Sequence, residues 1–142
     1  MTGREAALLT IDMIRNHASL YKEDAYKKFR DRYADFKESI RFLYTGENEY
    51  HAQAAETIAN MIRSHLESGD FDDKEGSTMS GNEAALEICK IVLAMSKSCN
   101  KECRTYINEG FLDLVKKYDA YSDTALIVVD QIVSGFLDGE FS

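Results

Sequence analysis

The heptapeptide Thr2-Gly-Arg-Glu-Ala-Ala-Leu8 recurs 78 positions later as Ser80-Gly-Asn-Glu-Ala-Ala-Leu86, with five of seven residues identical. Each copy sets a hydroxyl residue three positions before a glutamate, immediately ahead of an apolar run. In that spacing the hydroxyl oxygen accepts a backbone N–H at a helix start, and the glutamate reaches back to the capping residue. A chain that opens a helix twice in the same way is expected to consist of two helical halves. Its 142 residues suit a single domain with a buried core.

Helix is favoured throughout. There is no proline, glycines fall mostly between periodic segments, and 44% of residues are apolar. The expected class is therefore all-α. No apolar run approaches the roughly 20 residues that span a bilayer. The N-terminus lacks a basic-then-apolar leader, so the expected location is cytoplasmic. The net charge of −8 argues against nucleic acid or an anionic membrane as partner and leaves room for a basic protein surface. Of the three cysteines, Cys89 lies in an apolar run and reads as core. Cys99 and Cys103 stand one helical turn apart, and all three are expected as free thiols.

Six helices are expected in order. The first, 4–18, places Ala7, Leu8, Ile11, Ile14 and Ala18 on one face. The second, 23–44, carries the stripe Tyr26, Phe29, Tyr33, Phe36, Ile40 and Leu43, with Thr45-Gly46 as its stop. The third, 48–67, follows Asn48 as a cap. Residues 68–81 break the periodicity and read as an acidic linker. Helix 82–98 is apolar on most sides and is expected to lie at the centre of the core. Helix 100–118, capped by Asn100, has the stripe Ile107, Phe111, Leu114, Val115 and Tyr118, with a bend at Gly110. Helix 122–137 starts at Ser122. The organisation is then one domain, with a first unit 1–67, the linker 68–81 and a second unit 82–142.

Over residues 83–133 this pattern resembles an armadillo/HEAT-type helical repeat. The residues that carry the resemblance are Glu83-Ala-Ala-Leu86 opening an apolar helix, Asn100 and Arg104, Ile107-Asn-Glu-Gly-Phe-Leu-Asp-Leu-Val115, and Thr124-Ala-Leu-Ile127. The resemblance implies two three-helix units stacked as a short solenoid, with the Ala-Ala helices lining a binding groove. The groove asparagine of that family is replaced by Met13, Met61, Ile91 and Gln131, which removes peptide-backbone clamping. The rival architecture is a compact helical bundle, as in viral relatives of the apoptosis regulators.

Chemistry is sparse. A calcium loop starting at Asp70 fails, because Lys74 and Glu75 stand where an oxygen ligand and a glycine are required. His17, His51 and His65 have no partner at zinc-ligand spacing, and neither a phosphate loop nor a nucleophile elbow is present. No catalytic residue, metal or cofactor is expected. The reading is a non-catalytic protein-binding module: an adaptor, regulator or inhibitor that engages its partner on a helical face. The alternative is an acidic inhibitor of the phage, viral or immunity type that masks a basic surface. Candidate binding residues are Arg15, His17, Arg63 and His65, which end two apolar helices in the matched stretches Met13-Ile-Arg-Asn-His17 and Met61-Ile-Arg-Ser-His65, and the acidic set Asp70, Asp72, Asp73 and Glu75. Apolar ends of a two-unit stack would also favour self-association.

Overall fold

The computed structural model describes residues 1–16 and 38–142, of which 38–48 are described by backbone alone. The described residues are all-helical. Four helices are present: α1, described over residues 3–16, α2 Glu38–Glu67, α3 Gly81–Glu109 and α4 Leu112–Leu137. Among the described residues the six shorter helices of a stacked solenoid are not found. The expected stripe Tyr26, Phe29, Tyr33 and Phe36, together with His17 and Ala18, lies outside the described residues.

The differences in boundary have local causes. α2 runs through Thr45-Gly46 without stopping. A mid-helix glycine costs only about 1 kcal/mol, which a 30-residue helix absorbs. α3 likewise continues past Ser98-Cys99-Asn100 and ends at Gly110, which takes the left-handed conformation at φ 78°. Asn100 caps nothing; its Oδ1 accepts a 2.9 Å hydrogen bond from the Ser122 hydroxyl. Ser122 in turn is no helix start. It sits buried inside α4, its oxygen 3.1 Å from that of Ser96 on α3. The two polar residues expected to open helices instead fasten one long helix to the next.

Both predicted capping boxes are formed. The amide of Glu5 donates to Thr2 Oγ1, and the amide of Thr2 donates to Glu5 Oε2. Ser80 and Glu83 repeat the arrangement. The two starts lie side by side. The amide of Gly3 donates to the carbonyl of Met79 at 3.0 Å, and that of Gly81 to the carbonyl of Met1 at 2.8 Å. Thr2 and Ser80 form an isolated antiparallel bridge between them. Each residue meets its own counterpart, so a local two-fold axis passes between Thr2 and Ser80.

The helix ends obey the same symmetry at an offset of 70. Gly69 and Gly139 both adopt positive φ, 81° and 80°. Their amides donate back to Leu66 and Phe136, and the next amides, of Asp70 and Glu140, donate to His65 and Gly135. Each chain reversal then buries a phenylalanine, Phe71 or Phe141. Among the described residues the repeating unit is thus a helix pair, α1 with α2 and α3 with α4, not a triplet. Its ends were displaced from expectation because 68–81 is no plain linker. Phe71 is 1% exposed and belongs to the core.

The core is the seam of the two units. Ala6, Ala7, Ile11 and Ile14 of α1 match Ala84, Ala85, Cys89 and Val92 of α3, and all are buried. Ala55, Ile58 and Ile62 of α2 match Ala125, Val128 and Ile132 of α4. The alanine pairs admit close helix approach, and the isoleucines and valines fill the layers behind them. Three face assignments change. Leu8, on the expected α1 face, is 47% exposed, and Ala6 is buried instead. α3 is not a central helix, since Leu86 and Leu93 face outward. The stripe Ile107, Phe111, Leu114 is exposed at the α3–α4 turn, where Tyr106 stacks on Tyr118 with centroids 5.5 Å apart.

Candidate functional site: the acidic capped end

Helix starts, helix ends and chain reversals converge on one end of the molecule. The Met1 ammonium donates to the Ser142 carbonyl at 2.9 Å, and Gly81 packs against the carbonyl of Phe141. Sequence places Glu5, Glu67, Asp70, Asp72, Asp73, Glu75, Glu83, Asp138 and Glu140 here, against Arg4, Arg63 and Lys74. Nine acids against three bases make this end −6, most of the chain's net −8.

Several of those carboxylates have structural work. Asp72 pairs with Arg4 at 2.8 Å, with both side chains about half exposed. Asp70 Oδ2 lies 2.6 Å from His65 Nδ1. Asp73 accepts the Met79 amide at 2.8 Å and so fixes the segment that leads into α3. Glu75 stands exposed in the tight turn closed by the reciprocal Lys74–Ser77 bonds. The segment expected as an acidic linker is therefore held by its own acids.

The four basic candidates are not brought together as a set. Arg63 and His65 lie in the last turns of α2, at the capped end. Arg15 lies a little over three turns along α1, roughly 18 Å of helix from its start, and His17 is outside the described residues. The matched stretches ending at His17 and His65 are not equivalent positions in the fold. The equivalences run at 78 for helix starts and 70 for helix ends, so His65 corresponds to Gly135.

Two features escaped sequence reasoning. One is a groove of about 760 Å³ beside Gly135, between α1 and α4, with Met13 and Ile127 along it and Asp130, Asp138 and Glu140 around it. Among the described residues none of those three carboxylates has an ion pair or side-chain hydrogen bond. The other is the tie between α2 and α4, where His51 Nδ1 lies 2.8 Å from Thr124 Oγ1. The Thr124 hydroxyl already donates to the Ala120 carbonyl at 2.8 Å, so the imidazole must donate through Nδ1–H. His51 is spoken for as a packing residue.

Among the described residues no group of three or more His, Cys, Asp or Glu side chains is placed to hold a metal ion. The three cysteines are free thiols, and Cys89 and Cys99 are buried. Burial pushes the Cys89 thiol pKa up. At Cys99 burial is joined by Cys103 and Glu102, and at Cys103 by the Asp119 carboxylate. Nucleophilic thiols are tuned the other way. Among the described residues no helix is long and apolar enough to cross a membrane. Comparison with known proteins finds no matching family model, no matching curated protein and no matching solved structure.

Proposed function

We propose that this chain is a non-catalytic protein-binding module, an adaptor, regulator or inhibitor whose partner presents positive charge to the capped end of the helices. The supporting observation is the concentration of −6 at that end, on a scaffold pinned by two capping boxes and two buried phenylalanines. A rigid acidic surface attracts a basic partner over about a Debye length, roughly 10 Å at 0.1 M salt, and sets the orientation of encounter. Asp70, Asp72 and Asp73 shape this surface, and Glu67, Glu75, Asp138 and Glu140 present charge on it. The armadillo-type resemblance would put binding on groove-lining helices instead; the charge distribution favours the capped end.

The test is co-purification from the native source with the intact chain as bait. A partner retained at low salt, released by roughly 0.5 M salt, and lost when Glu67, Glu75 and Asp138 are changed together to Gln or Asn supports the reading. A partner that holds through high salt and ignores those three changes overturns it. The narrower alternative, an acidic inhibitor, requires in addition that the captured partner lose its own activity when bound.

A further inference from the structure

An apolar strip with charged edges runs along the outward side of the α3–α4 pair. On α3, Leu86, Lys90, Leu93, Lys97 and Lys101 step by threes and fours and are all exposed. On α4, Asp119, Asp123, Leu126, Asp130 and Val133 do the same. The two helices touch along Ser96 with Ser122 and Cys103 with Val115. At about 100° per residue, both stripes centre roughly a quarter-turn from that line of contact, on the side away from the core. Antiparallel helices wind in opposite senses when viewed from one end, so both stripes turn to the same outer face. There the apolar residues sit nearest the line of contact. The lysines follow the free edge of α3, and Asp123 and Asp130 the free edge of α4. Leu86, Leu93, Leu126 and Val133 are each 39% to 49% exposed. Lone exposed leucines are ordinary, but an aligned strip between two charged edges marks a contact surface.

The other helix pair supplies a comparison. At the matched positions of α1 and α2, Arg15 replaces Leu93, Glu56 replaces Leu126 and Arg63 replaces Val133. Asp12 and Asn60 stand for Lys90 and Asp130, and Leu8 alone keeps the apolar choice of Leu86. A pair of this kind is built equally well with charges on that face, so the strip is not needed to hold α3 against α4.

We propose that this face binds a second copy of the chain about a two-fold axis parallel to the helices, α3 of each copy lying on α4 of the other. Charge and register select that occupant. A parallel axis preserves height, so each residue of α3 meets the residues of the partner's α4 that stand level with it in its own chain. Ser96 beside Ser122 and Cys103 beside Val115 set those levels. Lys101 then faces the partner's Asp119, Lys97 the partner's Asp123 and Lys90 the partner's Asp130. Between them Leu93 faces the partner's Leu126, and Leu86 the partner's Val133. Each match holds to within about two residues, roughly 3 Å along the axis. An axis across the helices would instead lay lysine edge on lysine edge, which like charge disfavours. Within one chain the apolar strip separates the two edges. Among the described residues the stripes share no ion pair, and Lys90 reaches Glu87 on its own helix at 3.7 Å. The dimer goes beyond the functional reading above. It gathers both acidic capped ends at one end of the assembly and offers a basic partner two of them at once. Salt weakens the edge pairs but also relieves repulsion between those ends, so charge reversal is the cleaner test.

The experiment follows the mass of the full chain by light scattering over a concentration series, with helicity and melting recorded in parallel. The unaltered chain is expected to reach the mass of two chains. Leu93→Glu, Lys97→Asp and Asp123→Lys should each stay folded, as substitutions at exposed positions do. Each should weaken association at least about tenfold, because symmetry repeats the clash. Mixing the Lys97→Asp chain with the Asp123→Lys chain should restore the two-chain mass, since both altered contacts across that mixed dimer are again of opposite sign. Pairing within one chain cannot produce rescue on mixing. An unaltered chain that stays single, a dimer indifferent to Leu93→Glu, or mixed variants that remain single overturns the proposal. Capture of a different protein on this face by a chain that is itself single overturns it too. The partner of the capped end should still bind the Leu93→Glu chain, so the two readings fail separately.

Discussion

Single residues explain why the two heptapeptides stayed alike. Gly3 and Gly81 are both buried where the starts of α1 and α3 cross. A Cβ on Gly3 would run into Met79 and the Phe71 carbonyl, and one on Gly81 into the Phe141 carbonyl. Backbone carbonyls cannot step aside as a side-chain tip can. Gly81→Ala is therefore expected to lower the urea midpoint by the equivalent of about 2–3 kcal/mol, in the range of overpacked cores. An unchanged midpoint would show that the crossing is looser than described. The thiols give a second residue-scale prediction. Raised pKa values leave less thiolate at neutral pH, so alkylation of the native chain should be slow at pH 7 and accelerate as pH rises through the ordinary thiol range and beyond. Cys103, half-buried, should react first, and Cys89 and Cys99 only after denaturation. Mass mapping of the alkylated peptides checks the order.

At the scale of elements, capping was legible and interior continuity was not. A hydroxyl three before a glutamate is a local signal, read without knowing what surrounds it, and both boxes are formed. Thr2→Ala and Ser80→Ala are each expected to cost about 1 kcal/mol by chemical denaturation. The pair should cost close to the sum if the starts act independently, and more if their reciprocal bonds couple them. By contrast Asn100 and Ser122 are N-cap residue types without the glutamate three positions on, and they cap nothing. They pair across α3 and α4 over 22 positions, a tertiary fact that outweighs local preference. The face of α1 was misjudged for a related reason. Leu8 and Ala6 both fit a helical stripe, and the close approach of the paired starts selects the smaller residue for the seam. Leu86 is exposed at the matching place on α3.

At the scale of the molecule, the described residues form two helix pairs related by a local two-fold axis, with the acidic chain reversals gathered at one end. The doubling could be read from the caps. The size of the unit could not, because the helix starts repeat at 78 and the helix ends at 70, and the eight-position difference falls inside the pairs. The acidic set was readable as charge but not as structure: only the fold shows Asp70, Asp72 and Asp73 fastened to His65, Arg4 and Met79. The groove at Gly135 had no sequence signal at all, since its walls, Met13 and Ile127, come from helices far apart in the chain. If the seam is as extensive as the matched core implies, a single peptide-bond cut at Gly76-Ser77, in the exposed turn between the pairs, should leave the halves associated. A nicked chain that elutes at the intact mass in native chromatography and separates only in denaturant is the expected outcome; dissociation without denaturant would show that covalent connection holds the seam.

The meeting of Thr2 with Ser80 has a historical side. A contact between a residue and its own counterpart is what two identical polypeptides make when they pair about a dyad, and a tandem copy of one gene preserves that contact inside a single product. Before such a fusion every substitution lands on both partners at once; after it, each side is free to drift. At one matched position the two halves now differ, His65 in one and Gly135 in the other.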